Sequence, residues 1–185
     1  MKKVVAFVGS PRKTGNTATL VAEMIRGAES VGATTKTYYL NEMNIRPCQS
    51  CFSCRKEPFC PIEDDLKAVY PEIAEADAVI IGSPVYMLQM TAQTKILLDR
   101  LFPMMDSQFR PRFGIKKTAV IYAQGRPDAA AFKNSFDVNA EVMKVMGLQV
   151  EETLVCANAN KKTSAAEDAS MLARAFETGK KLVGP

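Results

Sequence analysis

Two short apolar runs in this chain end alike: Lys3–Val8 runs into Gly9-Ser10-Pro11, and Asp77–Gly82 into Ser83-Pro84. Both are rich in β-branched residues and read as strands buried on both faces. Further strand-like runs lie at Ala33–Leu40, Lys117–Ala123 and Gln149–Cys156. Helical patterns alternate with them over Asn16–Gly32, Asp65–Ala76 (disturbed by Pro71), Thr91–Met104, Ala129–Met146 and Ser164–Val183. In the first of these, Leu20, Val21, Met24, Ile25 and Ala28 recur at helical spacing, and Gly32 can stop it. Five strands separated by five helices need crossover connections, which make the strands parallel and cover both faces of the sheet. The expected fold is therefore α/β, a doubly wound five-stranded parallel sheet.

No repeat, linker or low-complexity tract interrupts the 185 residues, so residues 1–185 read as a single domain. One segment departs from the pattern. Residues 44–65, after the second strand, are irregular and contain Pro47, Pro58, Pro61 and four of the five cysteines.

Histidine is absent, which excludes His-based triads, His metal ligands and imidazole proton shuttles. Against 20 acidic residues stand 24 basic ones, a net charge of +4, with no basic run longer than two. That balance predicts neither a nucleic-acid nor a membrane partner. No apolar stretch approaches the roughly 20 residues needed to span a bilayer. The opening Met1–Gly9 has too short an apolar core and no small-residue cleavage site for a signal peptide, so a cytoplasmic protein is expected.

The loop Gly9-Ser-Pro-Arg-Lys-Thr-Gly-Asn-Thr17 joins the first strand to the first helix. In open α/β sheets, ligands collect at the carboxyl ends of strands, and helix N-termini favour anions. Hydroxyls at Ser10, Thr14 and Thr17, the Asn16 amide, Gly15 and Arg12 make a hydroxyl-rich cradle suited to a terminal phosphomonoester. The spacing matches neither a P-loop nor a dinucleotide fingerprint. Simple turn and N-cap chemistry is the alternative reading of the same residues. After the third strand, Pro84-Val85-Tyr86-Met87 offers a surface for a flat, polarisable ring. Ala123-Gln124-Gly125-Arg126, after the fourth strand, supplies a third wall.

Together with Ala76-Asp-Ala-Val-Ile-Ile-Gly-Ser-Pro-Val-Tyr86 and Lys95-Ile-Leu-Leu-Asp-Arg100, these segments resemble the flavodoxin-like NAD(P)H-dependent FMN reductase superfamily over nearly the whole chain. The resemblance implies FMN as cofactor and the strand order 2-1-3-4-5. It implies that Ser10, Arg12, Asn16 and Thr17 take the phosphate, and that Pro84, Val85, Tyr86 and Met87 line the isoalloxazine. Asp99 and Arg100 are expected to form structural charge pairs on the third helix.

Cys48-x2-Cys51-x2-Cys54-x5-Cys60-Pro61 is the sharpest motif. Three cysteines at two-residue spacing wrap a tight loop around one face of an inorganic cube, and the longer gap returns the chain to its fourth corner. Zinc is the competing ligand, although zinc sites usually present two Cys-x2-Cys knuckles a dozen or more residues apart. A loop with no metal is the third reading. Asp64 and Asp65 read as acids at a helix N-terminus, and Cys156 as a small buried hydrophobe.

The motif resembles that of the iron-sulfur flavoproteins, which implies a [4Fe–4S] cluster on Cys48, Cys51, Cys54 and Cys60. An FMN and cluster together would join two-electron to one-electron partners. The resemblance implies a ferredoxin-type or NAD(P)H electron donor, and a homodimer or dimer of dimers. The alternatives are a plain NAD(P)H-dependent FMN or quinone reductase with an empty cysteine loop, and a zinc-stabilised, non-catalytic binding module.

Overall fold

The computed structural model describes residues 1–184. Its elements in chain order are β1 (Lys3–Val8), α1 (Asn16–Ser30), β2 (Thr34–Tyr39), α2 (Tyr70–Glu75), β3 (Ala78–Tyr86), β4 (Gln89–Met90), α3 (Ala92–Arg100), β5 (Lys116–Ala123), α4 (Lys133–Val145), β6 (Leu148–Cys156) and α5 (Ala169–Val183). The strand order is β2-β1-β3-β5-β6, all parallel, with β4 folded back antiparallel on the end of β3. Leaving β4 aside, this is the flavodoxin-like order 2-1-3-4-5.

Burial explains which strands are central. Val4–Val8 of β1 and Ala78–Pro84 of β3 are buried throughout, whereas β2 and β6 alternate or are half-exposed, as edge strands must be. Alternate residues of each strand feed two cores. Val4, Ala6, Val8 and Ile80 pack with Leu20, Met24 and Leu182 of α1 and α5. Val5, Phe7, Val79 and Ile81 pack on the opposite face with Ile73, Leu97 and Met143 of α2, α3 and α4.

On the first face, α1 and α5 meet backbone to backbone. A Cβ on Gly179 would lie 1.8 Å from the Met24 carbonyl oxygen, and one on Gly27 2.0 Å from that of Phe176. On the second face, buried Lys116 at the start of β5 donates to the carbonyls of Ala74 and Ala76 at 2.8 Å, satisfying the end of α2. Burial pushes the Lys116 ammonium below its ordinary value.

Several boundaries differ from the sequence expectation. The second helix begins only at Tyr70, because Pro71 has no N–H and is accommodated in the first turn. The chain bends at residue 64 and turns over residues 65–69, so Asp64 and Asp65 lie ahead of the helical first turn at Tyr70. β3 runs on through Ser83-Pro84 to Tyr86, since the fixed φ of proline suits extended chain. Five parallel strands thus become a sheet of six with the β3–β4 hairpin. Asp168, rather than Ser164, starts the last helix by accepting the Met171 N–H at 2.9 Å.

Candidate functional site

Because the main strands are parallel, the loops after β1, β3, β5 and β6 gather at one edge of the sheet. They enclose a cleft of about 240 Å³. Ser10, Arg12, Gly15, Asn16 and Thr17 line it from the first loop, and Pro84, Val85 and Tyr86 from the end of β3. Ala123, Gln124 and Gly125 line it after β5. The sequence reading missed a fourth wall of Ala159, Asn160 and Lys162 after β6. Its one available signal was a polar run at the carboxyl end of the last strand. Thr14 and Met87 stand outside the lining, with Met87 95% exposed.

The floor of the cleft is the N-terminus of α1. Gly15 caps that helix without a side-chain hydrogen bond, and no acid occupies the first turn. Its first N–H groups and the positive end of its dipole are therefore left for an anion. The Asn16 side chain is committed elsewhere. Its Nδ2 donates to the carbonyl oxygens of Lys161 at 2.8 Å and Ala159 at 3.3 Å, and its Oδ1 accepts from the Ala165 N–H at 2.9 Å. Asn16 thus staples the β6–α5 loop into place as the fourth wall. Ser10 Oγ accepts the Arg12 N–H at 3.1 Å, which folds the loop so that Arg12 lines the cleft.

Gln124 offers a sharper indication of a ligand. The residue is 2% exposed and its Nε2 donates to the Asp128 carbonyl at 2.7 Å, but its buried Oε1 has no partner among the described residues. A buried acceptor left unpaired costs about 1–3 kcal/mol, so it marks a position where a ligand donor belongs. At the mouth, Met87 (φ 48°) and Leu88 (φ 69°) form the tip of the β3–β4 hairpin. Non-glycine residues are strained in this left-handed region.

The second site is the cysteine loop after β2. Cys48, Cys51, Cys54 and Cys60 line one small cavity of about 100 Å³, walled by Ile62, Phe52 and Phe102. Ser50 (φ 52°) and Phe52 (φ 58°) take left-handed conformations on either side of Cys51, so the chain turns tightly around the thiols. The Ser50 N–H donates to Cys48 Sγ at 3.4 Å. Hydrogen bonds from Ser53 pull the Cys51 thiol below its ordinary pKa. Burial raises that of Cys54, as do the neighbouring Cys60, Cys51 and Cys48, so the four sulfurs act on one another. No three Cys, Asp or Glu side chains among the described residues are grouped as ligands of a single metal ion.

The acid pair that follows the cysteines closes this loop. Asp65 accepts the Asn44 N–H at 2.7 Å, while Asp64 accepts the N–H groups of Arg46 at 3.0 Å and Leu66 at 3.1 Å. Asp64 also pairs with Arg100, both side chains being fully buried. Burial opposes ionisation of Asp64, but Arg100 and these amides outweigh it and hold the carboxyl below its usual range. Asp99 does pair along α3, with Lys95, whereas Arg100 leaves its helix to fasten the cysteine loop. Arg112 donates to the Cys54 carbonyl at 3.0 Å, and Phe59 stacks between Tyr70 and Phe113.

Residues 2–144 match the sequence model of the family described as NADPH-dependent FMN reductase. An iron-sulfur flavoprotein of Methanocaldococcus jannaschii is 39% identical over 113 residues, 60% of this chain and 58% of that protein. One of Methanosarcina thermophila is 36% identical over 98 residues, 53% of this chain and 51% of that protein. The chain thus spans about half the length of these curated relatives. The solved structure of an NAD(P)H:quinone oxidoreductase from Methanothermobacter marburgensis superposes with a TM-score of 0.69 at 18% identity, covering 99% of this chain and 96% of that one. At that identity the likeness shows the fold alone. Among the described residues, no helix is long and apolar enough to cross a membrane.

Proposed function

The chain belongs to the NADPH-dependent FMN reductase family, and from that premise we propose that it is an FMN-dependent oxidoreductase with a [4Fe–4S] cluster. One observation carries the reading: two different ligand-ready sites open on the carboxyl edge of a single parallel sheet. The cleft fits FMN through its uncapped α1 N-terminus, the Arg12 guanidinium and the unpaired Gln124 Oε1. The cysteine cavity fits a cluster through four thiols, apolar walls and an N–H···S bond.

Each residue then has a definite task. The α1 amides with Arg12, Thr17 and Ser10 hold the phosphate; Lys162 adds a cation from the fourth wall. Pro84, Val85 and Tyr86 bear on one side of the ring, and Ala123, Gln124 and Gly125 on another. Gln124 Oε1 accepts a ligand N–H or O–H, while Asn16 keeps the β6–α5 loop closed against solvent. Cys48, Cys51, Cys54 and Cys60 ligate the cluster. The bound flavin supplies hydride or single-electron chemistry and the cluster single electrons, so no protein acid or base is required.

This assignment suits a chain that passes electrons between two-electron and one-electron partners. A ferredoxin-type protein or NAD(P)H fits as donor, and a homodimer or dimer of dimers in the cytoplasm as the working form. Lys13 of the phosphate loop pairs with Glu42 in the turn that leads into the cysteine loop, which brings the two sites' supports together. A second reading, an FMN reductase with an empty cysteine loop, draws on the loop's own fastenings, in which Asp65 and Asp64 accept the N–H groups of Asn44 and Arg46.

Anaerobic purification, heat release of the flavin, and iron and acid-labile sulfide assays test the proposal together. FMN with iron and sulfide is the expected result. FAD would overturn the phosphate assignment; FMN without iron after reconstitution would leave the second reading; zinc would point to a structural module.

A further inference from the structure

Phe102, just past the end of α3, lines two separate spaces. On one side it walls the cysteine cavity, together with Cys54, Cys60 and Ile62. On the other it lines a largely apolar groove of about 270 Å³ between α3 and α4, with Leu98, Met105, Val142 and Val145. Among the described residues, no other side chain is shared by the two linings. The cavity itself has a wet end and a dry one. Cys48, Cys51 and Phe52 are exposed, whereas Cys60 and Ile62 are each only 9% exposed. A half-buried ring that meets both the cavity and the groove is the partition between them.

This partition is braced from several directions. Phe102 opens a single 3₁₀ turn, Phe102–Met104, stiffened by Pro103, and its carbonyl accepts the Met105 N–H at 3.1 Å. Arg112 ties that turn to the cysteine loop. Its Nε donates to the Pro103 carbonyl at 3.2 Å, and its Nη2 to those of Met105 at 3.1 Å and Cys54 at 3.0 Å. Phe109 meets the Phe102 ring edge-on, with centroids 6.3 Å apart. Arg55, the neighbour of Cys54, lies over the Phe109 ring at 4.4 Å and donates to the Ser107 carbonyl at 2.8 Å. The segment after α3 and the cysteine loop therefore hold the ring between them.

We propose that Phe102 is the inner barrier of the cysteine cavity, a ring that keeps water and small solutes in the α3–α4 groove from reaching the Cys60 sulfur. The barrier acts on free thiols as it would on ligated ones, so it does not depend on what the cysteines hold. Its physical basis is shape and polarity. Water entering a small apolar space finds too few hydrogen-bond partners to replace those it gives up. A packed ring leaves no gap through which a larger solute could pass. Cutting the ring back to a methyl group joins the two spaces into one.

The test follows the alkylation of each cysteine by N-ethylmaleimide, read by mass spectrometry on the full-length chain after chelation of any metal. A buried thiol reacts through local opening, so Cys60 should react about tenfold faster in F102A than in wild type, where the ring must first move aside. Cys48 and Cys51, already exposed, and Cys156, buried in the opposite core, should keep their wild-type rates. F102A/V142F places a new ring on the groove side and should return Cys60 to within about twofold of wild type. An unchanged Cys60 rate in F102A overturns the proposal. So does a rise that extends to Cys156, or one that V142F leaves in place, because either makes Phe102 a support of the fold and not a barrier. If F102A does not fold, F109A, which removes only a 53% exposed ring that braces Phe102, must still raise the Cys60 rate, and no change overturns the proposal. Because the labelling uses metal-free protein, a chain that binds no cluster defeats the cluster reading above and leaves this result standing.

Discussion

The cleft at the end of β1 and the cysteine cavity lie on the same edge of the sheet but are held in different ways. The cleft is built from the ends of regular elements: an uncapped helix, the tip of β3 and two strand-end loops, braced by Asn16 across a long sequence separation. Its donors are largely backbone groups, fixed once the sheet forms. The cavity sits in chain without strands, held shut by a buried ion pair, two aspartate-to-amide clamps and an aromatic stack. A site made of backbone survives most side-chain changes, whereas one tied by a few long-range side chains does not.

The largest expected effect falls on the cavity. Asp64→Ala leaves the Arg100 charge buried and unpaired, a loss of about 3–5 kcal/mol. Chemical denaturation should show that loss, and limited proteolysis should cut within residues 44–65 while the cleft keeps its flavin. Equal loss of flavin would mean that the two sites are one cooperative unit. The same pair predicts an acid sensitivity. Asp64 is held below its ordinary 3.8 in the folded state. Its contribution is therefore fully present above that value and is lost as pH falls through the lower folded pKa. R100Q/D64N should flatten the acid limb of the stability profile below pH 3.8, read by acid titration of the circular dichroism.

A smaller effect sharpens the other side of the comparison. Arg12→Ala should weaken FMN binding by about 1.5–3 kcal/mol, the range for hydrogen bonds to charged groups. Riboflavin, which lacks the phosphate, should lose almost nothing, and iron content should not move. Equal losses for both flavins in a binding titration would make Arg12 a support of the loop rather than a phosphate ligand.

The smallest effect is at the hairpin. Leu88 holds φ 69° without being glycine. Leu88→Gly relieves about 1–2 kcal/mol of left-handed strain and gives back roughly 0.5–1 through unfolded-chain entropy. A net gain of about 0.5–1 kcal/mol in thermal or chemical unfolding is expected. A loss would show that the exposed leucine makes contacts worth more than its strain.

What could be read from sequence was local. Buried strand runs declared the parallel sheet, because period and composition act over a few residues. The phosphate loop and the cysteine run were visible for the same reason: their chemistry lies in contiguous chain. Helix starts were less legible; Pro71 and Asp168 moved two of them, since a cap is decided by hydrogen bonds rather than by apolar spacing. Only the tertiary structure decided the rest. It put Asn160 and Lys162 into the cleft, spent the Asn16 side chain on a loop more than 140 residues away, and left Gln124 Oε1 unpaired. It also drew Arg100 off its own helix to Asp64, 36 residues distant. Such pairings depend on which surfaces the folded sheet brings together, and no local pattern of residues records them.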